Sequence, residues 1–234
     1  MREPENIRAV AELGVDWIGL IFWPQSPRYV KMIPSGAGII PDNADGSLKA
    51  GSTADRHWPR RVGVFVDATA QDIITHVVNY GLDIVQLHGH ETPTLIRNLR
   101  RTLTGDVKMM KAISVTTADN MARWRDYADC ADYLLFDTKT PAVGGSGQHF
   151  DWSILQDYDG HLPFLLSGGI GPDDALRLRE AFATGSGTGC ALHPRCIGID
   201  LNSRFESAPG LKDVTLLKAF LENIGINNQE TQRQ

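Results

Sequence analysis

Seven short apolar runs punctuate the chain, at residues 17–22, 61–66, 82–87, 107–113, 133–136, 164–166 and 196–201. Each is nearly continuous rather than alternating, as in strands buried on both faces. Between them, apolar positions recur at helical spacing. Ile7, Val10, Ala11 and Gly14 do so in the first helix, with Pro4 near its start and Gly14 as its stop. Thr69 caps a second, Asp72 follows three residues on, and Ile73, Ile74, Val77 and Val78 make its expected buried stripe. Pro172, Asp173 and Asp174 open another, with acids at its positive end. Leu216, Leu217, Phe220, Leu221 and Ile224 form the apolar face of the last.

Helix and strand alternate from end to end, so the strands are parallel and the helices are crossovers. Two architectures satisfy this: a closed barrel and an open doubly wound sheet. No GxGxxG follows an early strand, which weighs against the open sheet. The expected fold is therefore α/β, a (βα)8 TIM barrel. Seven strands are visible and the chain begins with a helix, so the strand expected to be absent from the chain is the first. One domain is expected over residues 1–226, with a polar, frayed tail at 227–234. Gly, Pro, Ser, Asn and Asp dominate residues 33–58, expected as a surface loop inserted in the barrel.

Composition narrows the partners. The length of 234 residues fits one such domain, and 42% hydrophobic with 22% charged residues is ordinary globular usage. A net charge of −5 argues against a nucleic-acid surface. No apolar run reaches the ~18 residues of a membrane span, so no membrane partner is expected. Cys130, Cys190 and Cys196 form neither a disulfide framework nor a zinc spacing, which fits a reducing cytoplasm.

The most informative stretch is YLLFDTKTPAVGGSGQHFDW, residues 133–152. An apolar run ends on a carboxylate, Asp137, ahead of a glycine-rich turn. In a barrel, catalytic groups sit at the C-terminal ends of strands. From the residues alone, Asp137 reads equally as a catalytic acid or as a cap of the next segment. Three further blocks join it in order: GVDWIGLIFWPQSPRYV (14–30), RVGVFVD with IVQLHGHE (61–91), and LLSGGIGPDDA with GIDLNSRFESAPGLKD (165–213). Together they resemble the phosphoribosylanthranilate isomerases of tryptophan biosynthesis, over nearly all of the chain except the insertion and the tail.

That resemblance implies a (βα)8 barrel, no cofactor and no metal, a phosphorylated small-molecule substrate, and a monomer or homodimer. It implies an Amadori rearrangement, in which an acid opens the sugar ring and a base removes the proton from C2. Asp137 matches the family's general acid. Arg28 matches its arginine for the anthranilate carboxylate, the other reading being a solvated surface residue. Ser167, Gly168, Gly169, Asn202 and Ser203 match its phosphate loops. Asp200 matches an aspartate for substrate hydroxyls. Gly144, Gly145 and Ser146 match a loop closing over the ligand, or else a plain turn. Gln86 and His88 line the site or serve as hydrogen-bonding support behind it. The family base is a cysteine in a Cys-Gly segment at the end of the first strand, expected just upstream of Met1; none of the three cysteines takes its place. Arg204 stands where the family usually has glycine, and either adds a phosphate contact or changes the backbone. Two other readings remain: a non-catalytic phosphate-ligand-binding barrel, and another phosphate-binding barrel enzyme such as indole-glycerol-phosphate synthase, for which Lys111 would be the catalytic lysine.

Overall fold

A computed structural model describes residues 1–31, 58–103, 106–138, 152–182 and 192–225. Gly144, Gly145, Ser146 and Cys190, the tail at 227–234, and all of the expected insertion but its last residue lie outside these. In chain order the helices are α1 (Pro4–Ala11), α2 (Ala70–Tyr80), α3 (Pro93–Thr102), α4 (Ala118–Met121), α5 (Ala175–Phe182) and α6 (Val214–Asn223). The strands are β1 (Trp17–Ile21), β2 (Arg60–Phe65), β3 (Ile84–Leu87), β4 (Lys108–Ser114), β5 (Tyr133–Asp137), β6 (Phe164–Ser167), β7 (Cys196–Ile199), and a pair of short ones, β8 (Glu206–Ala208) and β9 (Leu211–Lys212). Two compact units contain them. Met1–Met109 with Glu206–Val214 form one, and Met110–Phe205 with Thr215–Gln234 the other.

In the first unit, β1, β2 and β3 pair in parallel in that order, with Ile21 beside Val64 and Phe65 beside Leu87. Pro93 starts α3 without losing a hydrogen bond, because the first helical N–H has no partner within the helix. Thr69 Oγ1 accepts from the Asp72 N–H at 3.1 Å and caps α2, and Gly81, at φ +55°, ends it. The face α2 buries differs from the expected one. Ile73 and Val77 are buried as expected, but Val78 is 74% exposed, and His76 and Tyr80 take its place. Their rings pack with Phe22 and Phe65, at a centroid distance of 4.3 Å for Phe22–His76. Aromatic residues at the strand ends thus select the helix face that carries rings.

The hairpin β8–β9 is antiparallel and had no counterpart among the expected strands. Gly210, at φ +83°, makes its turn possible. Asn6 ties the hairpin to α1. Its amide donates to the Lys212 carbonyl and accepts from the Lys212 N–H, both at 2.8 Å, as a strand neighbour would.

In the second unit, β4 through β7 are parallel in sequence order, and the register sets Ser114, Asp137 and Ser167 side by side at their C-terminal ends. Phe136 and Phe164 pack with Tyr158, with centroids 4.8–5.3 Å apart. Burying each such ring contributes ~1.5–3 kcal/mol. Pro172–Asp174 form a single 3-10 turn and α5 follows at Ala175, so the acids precede the α-helix rather than lie in it. Phe205 and Phe220 join α6 to the segment after β7.

Candidate active site

Asp137 closes β5 and is buried. Its carbonyl accepts from the Val115 N–H, and the next residue, Thr138, donates from its N–H and its hydroxyl to the Ser167 carbonyl at 2.9 and 2.8 Å. The acid is therefore held from both neighbouring strands. Ser167 ends β6, and its hydroxyl donates to Asp200 Oδ2 at 2.9 Å. The Asp200 N–H in turn donates to the Leu166 carbonyl. Asp137, Ser167 and Asp200, singled out separately in the sequence, thus form one linked row across β5, β6 and the end of β7.

The two glycines after β6 have different reasons to be glycine. Gly168, at φ +100°, leaves no room: a Cβ there would stand 2.7 Å from the Thr138 backbone nitrogen and 2.9 Å from Asp137 Oδ1. Gly169, at φ +69°, faces open space. The pair turns the chain sharply after β6 and leaves no side chain at Gly169 to fill the open space beside it. The N-terminus of the turn before α5 is already occupied, since the Gly171 N–H donates to buried Asp174 at 2.8 Å. Asp67 is the one non-glycine with positive φ among the described residues, so Arg204 fits its backbone without strain. Its side chain lies across Gly171, where a Cβ would come within 2.7 Å of Arg204 Cδ. Asn202 and Ser203 precede it, exposed, and the Asn202 carbonyl accepts from the Phe205 N–H.

In the first unit, two successive turns, Trp23 to Ser26 and Ser26 to Tyr29, carry the chain round after β1 and present Arg28. Arg28 is not a solvated surface residue. Its Nε donates to both oxygens of Glu206, at 3.0 and 2.8 Å, and its Nη2 stands 2.6 Å from Glu206 Oε2. Glu206 was not among the expected site residues. Burial alone would raise its carboxyl; the hydrogen bond and charge of Arg28, with Lys212, overcome this and hold it below the usual carboxylate range. Gln86, buried near the end of β3, donates from Nε2 to His88 Nδ1 at 3.0 Å. Asp67 and Glu91 fasten the loops after β2 and β3 to each other through backbone N–H groups.

Lys111 does not fit the synthase reading. It is buried in the middle of β4 rather than placed at its end, with its ammonium 5.6 Å from the centroid of the Tyr127 ring. Among the described residues no group of three or more His, Cys, Asp or Glu side chains is arranged to hold a metal ion. Burial pushes the Cys196 thiol up to about 11, and it donates to the Gly198 carbonyl, so it is no thiolate at neutral pH. Cys130 is buried and donates to the Tyr127 carbonyl.

The family model of N-(5'-phosphoribosyl)anthranilate isomerase matches residues 3–223. The chain belongs to the phosphoribosylanthranilate isomerase family. The enzyme of that name from Parabacteroides distasonis is 41% identical over 224 residues, covering 96% of this chain and 90% of its own. The crystal structure of phosphoribosylanthranilate isomerase from Thermotoga maritima matches with a TM-score of 0.71 at 30% identity, covering 96% of this chain and 95% of that one. A second structure, of mutually generated monomers of that dimeric enzyme, matches with 0.68 at 27%, over 96% and 94% of the two chains. A phosphoribosylanthranilate isomerase in complex with reduced 1-(O-carboxyphenylamino)-1-deoxyribulose 5-phosphate matches with 0.68 at 26%, again over 96% and 94%. The chain is thus an α/β protein of the (βα)8-barrel class. It has the family's function, isomerisation of phosphoribosylanthranilate in tryptophan biosynthesis. No helix among the described residues is long and apolar enough to cross a membrane.

Proposed function

We propose that Asp137 is the general acid of this isomerisation and that the residues around it divide the substrate among them. Protonation of the ring oxygen by Asp137 breaks the bond from that oxygen to C1, and the furanose opens to a Schiff base. Loss of the C2 proton to a base gives the enol-amine, which takes up a proton at C1 and becomes the ketose. C1 is reduced and C2 oxidised within one molecule, so the class is an aldose–ketose, intramolecular oxidoreductase type, and no redox cofactor takes part. No base is assigned to Cys130, Cys190 or Cys196. The family's base precedes glycine, whereas these precede Ala131, Ala191 and Ile197.

The remaining assignments follow chemical type. Arg28 takes the anthranilate carboxylate as a charge-assisted pair. Gly168, Gly169, Asn202 and Ser203, with Ser167, take the phosphate. Asp200, aligned by the Ser167 hydroxyl, accepts from the sugar hydroxyls. Gln86 and His88 line the ligand site, and Gly144, Gly145 and Ser146 close over it. The protein works in the cytoplasm, as a monomer or homodimer, on a phosphorylated small molecule and not on nucleic acid.

The observation that carries this reading is the row Asp137–Ser167–Asp200, with Gly168 set against the Asp137 carboxylate. A crystal structure with the reduced product analogue tests it. The phosphate is expected at Gly168–Gly169, the ring carboxylate at Arg28, and a sugar oxygen within hydrogen-bond reach of Asp137. Phosphate bound elsewhere, or Asp137 turned away from the sugar, would overturn it.

A further inference from the structure

We propose that Glu206 is a positioning residue, fixing Arg28 so that one edge of its guanidinium, Nη1 with Nη2, is presented to an aromatic carboxylate end-on. This rests on Arg28 being the carboxylate site. A guanidinium has five N–H donors. Glu206 engages the Nε and Nη2 side at 2.6–3.0 Å, so side-on recognition of a substrate carboxylate from that edge is closed. The remaining edge still offers two parallel donors, enough for a bidentate pair.

Glu206 is itself held on every side. Its side chain is 4% exposed against 21% for Arg28. The Gly210 N–H donates to it at 3.2 Å, and the Lys212 ammonium stands 3.6 Å away across the hairpin. Asn6 locks the Lys212 backbone from α1. Glu206 is thus shared between Arg28 and Lys212, and both cations fix its position. A lone arginine on a turn would lose its rotamer freedom each time the ligand binds; here the carboxylate behind it has already removed that freedom.

The test uses calorimetric binding of two ligands, the reduced product analogue and its counterpart lacking the ring carboxylate, with Arg28→Ala, Glu206→Gln, Glu206→Asp and the Arg28→Ala/Glu206→Gln double variant. Glu206→Gln is expected to weaken the carboxylate-bearing ligand about tenfold and its counterpart by less than about twofold. Removing a negative charge would by Coulomb attraction alone tighten an anion, so a loss reports positioning. Glu206→Asp keeps the charge but retracts it, and is expected to show the same carboxylate-specific loss. In the double variant the Glu206 change adds nothing to Arg28→Ala. Equal weakening of both ligands, or tighter binding of the carboxylate, overturns the proposal. A carboxylate preference that survives Arg28→Ala sinks the Arg28 assignment itself, and the proposal with it.

Discussion

Gly168 is pressed against Asp137: a side chain at 168 would meet Asp137 Oδ1 at 2.9 Å and the Thr138 backbone nitrogen at 2.7 Å, from a backbone held at φ +100°. Position 168 therefore bears on the packing of Asp137 and of the end of β5. Gly168→Ala must strain the left-handed backbone and push β5 and β6 apart at their ends, at about 2–4 kcal/mol. The expected result is a lowered melting temperature together with slower turnover. Gly169→Ala, whose Cβ would face open space, carries the backbone strain alone. Thermal unfolding of the pair separates the two effects, and equal losses would show that the contact with Asp137 does not matter.

Much of this was legible in the sequence, for a physical reason. Every strand of the two parallel sets lies within two residues of an apolar run; in β3, β4 and β5 nearly every residue is buried, which leaves no polar alternation to confuse with a helix, whereas β7 exposes Ile197. Asp137, Ser167 and Asp200 stood out because a polar residue ending such a run has little structural cause to be there. The hairpin of Glu206 and Lys212 was not legible: strands of two and three residues have no periodicity, and its anchor, Asn6, lies 206 residues away. Val78 was assigned to the wrong face because a β-branched residue was weighed as core, while the residues buried beside Ile73 and Val77 are a histidine and a tyrosine.

His76 makes a stability prediction. Its Nδ1 donates to the Asp72 carbonyl at 2.7 Å, but Nε2 is buried among Phe22, Phe65 and Tyr80 with no hydrogen bond. A buried acceptor left unsatisfied costs ~1–3 kcal/mol, against a single hydrogen bond lost on replacement. His76→Phe preserves the ring stack and is expected to stabilise the protein by about 0.5–1 kcal/mol. Denaturant unfolding measures it, and a destabilised variant would contradict the packing.

Arg204 carries its positive charge against Gly171, on the segment after β7, without needing an unusual backbone; under the proposed function that charge lies beside the phosphate. Arg204→Gly is expected to lower affinity for the reduced product analogue about tenfold, while costing less than about 1 kcal/mol of stability. Titration calorimetry reads the first and thermal unfolding the second. Unchanged affinity would show that the guanidinium serves only to cover Gly171.

Alkaline pH has a defined direction. Burial raises the Cys196 thiol from 9.0 to about 11 and the Tyr158 hydroxyl from 10.0 to about 12. Both groups prefer to stay neutral in the folded state, so the unfolded chain releases their protons first. The stability they confer is complete below pH ~9, and is lost as pH rises to about 11 for Cys196 and about 12 for Tyr158. Melting temperature followed across this range is expected to fall more shallowly in Cys196→Ser at its lower end and in Tyr158→Phe at its upper end. Parallel curves for all three proteins would contradict the burial of these groups.

The most direct test of the account is the turnover of phosphoribosylanthranilate by the natural full-length protein and its Asp137→Asn variant, with affinity for the reduced product analogue measured alongside. Asparagine keeps the shape of the side chain and cannot give up a proton as a carboxylic acid does. The account predicts a fall in kcat of about 10²–10⁴-fold, with analogue affinity within about threefold of the parent. An Asp137→Asn variant that turns over substrate at the parental rate would mean that the acid lies elsewhere.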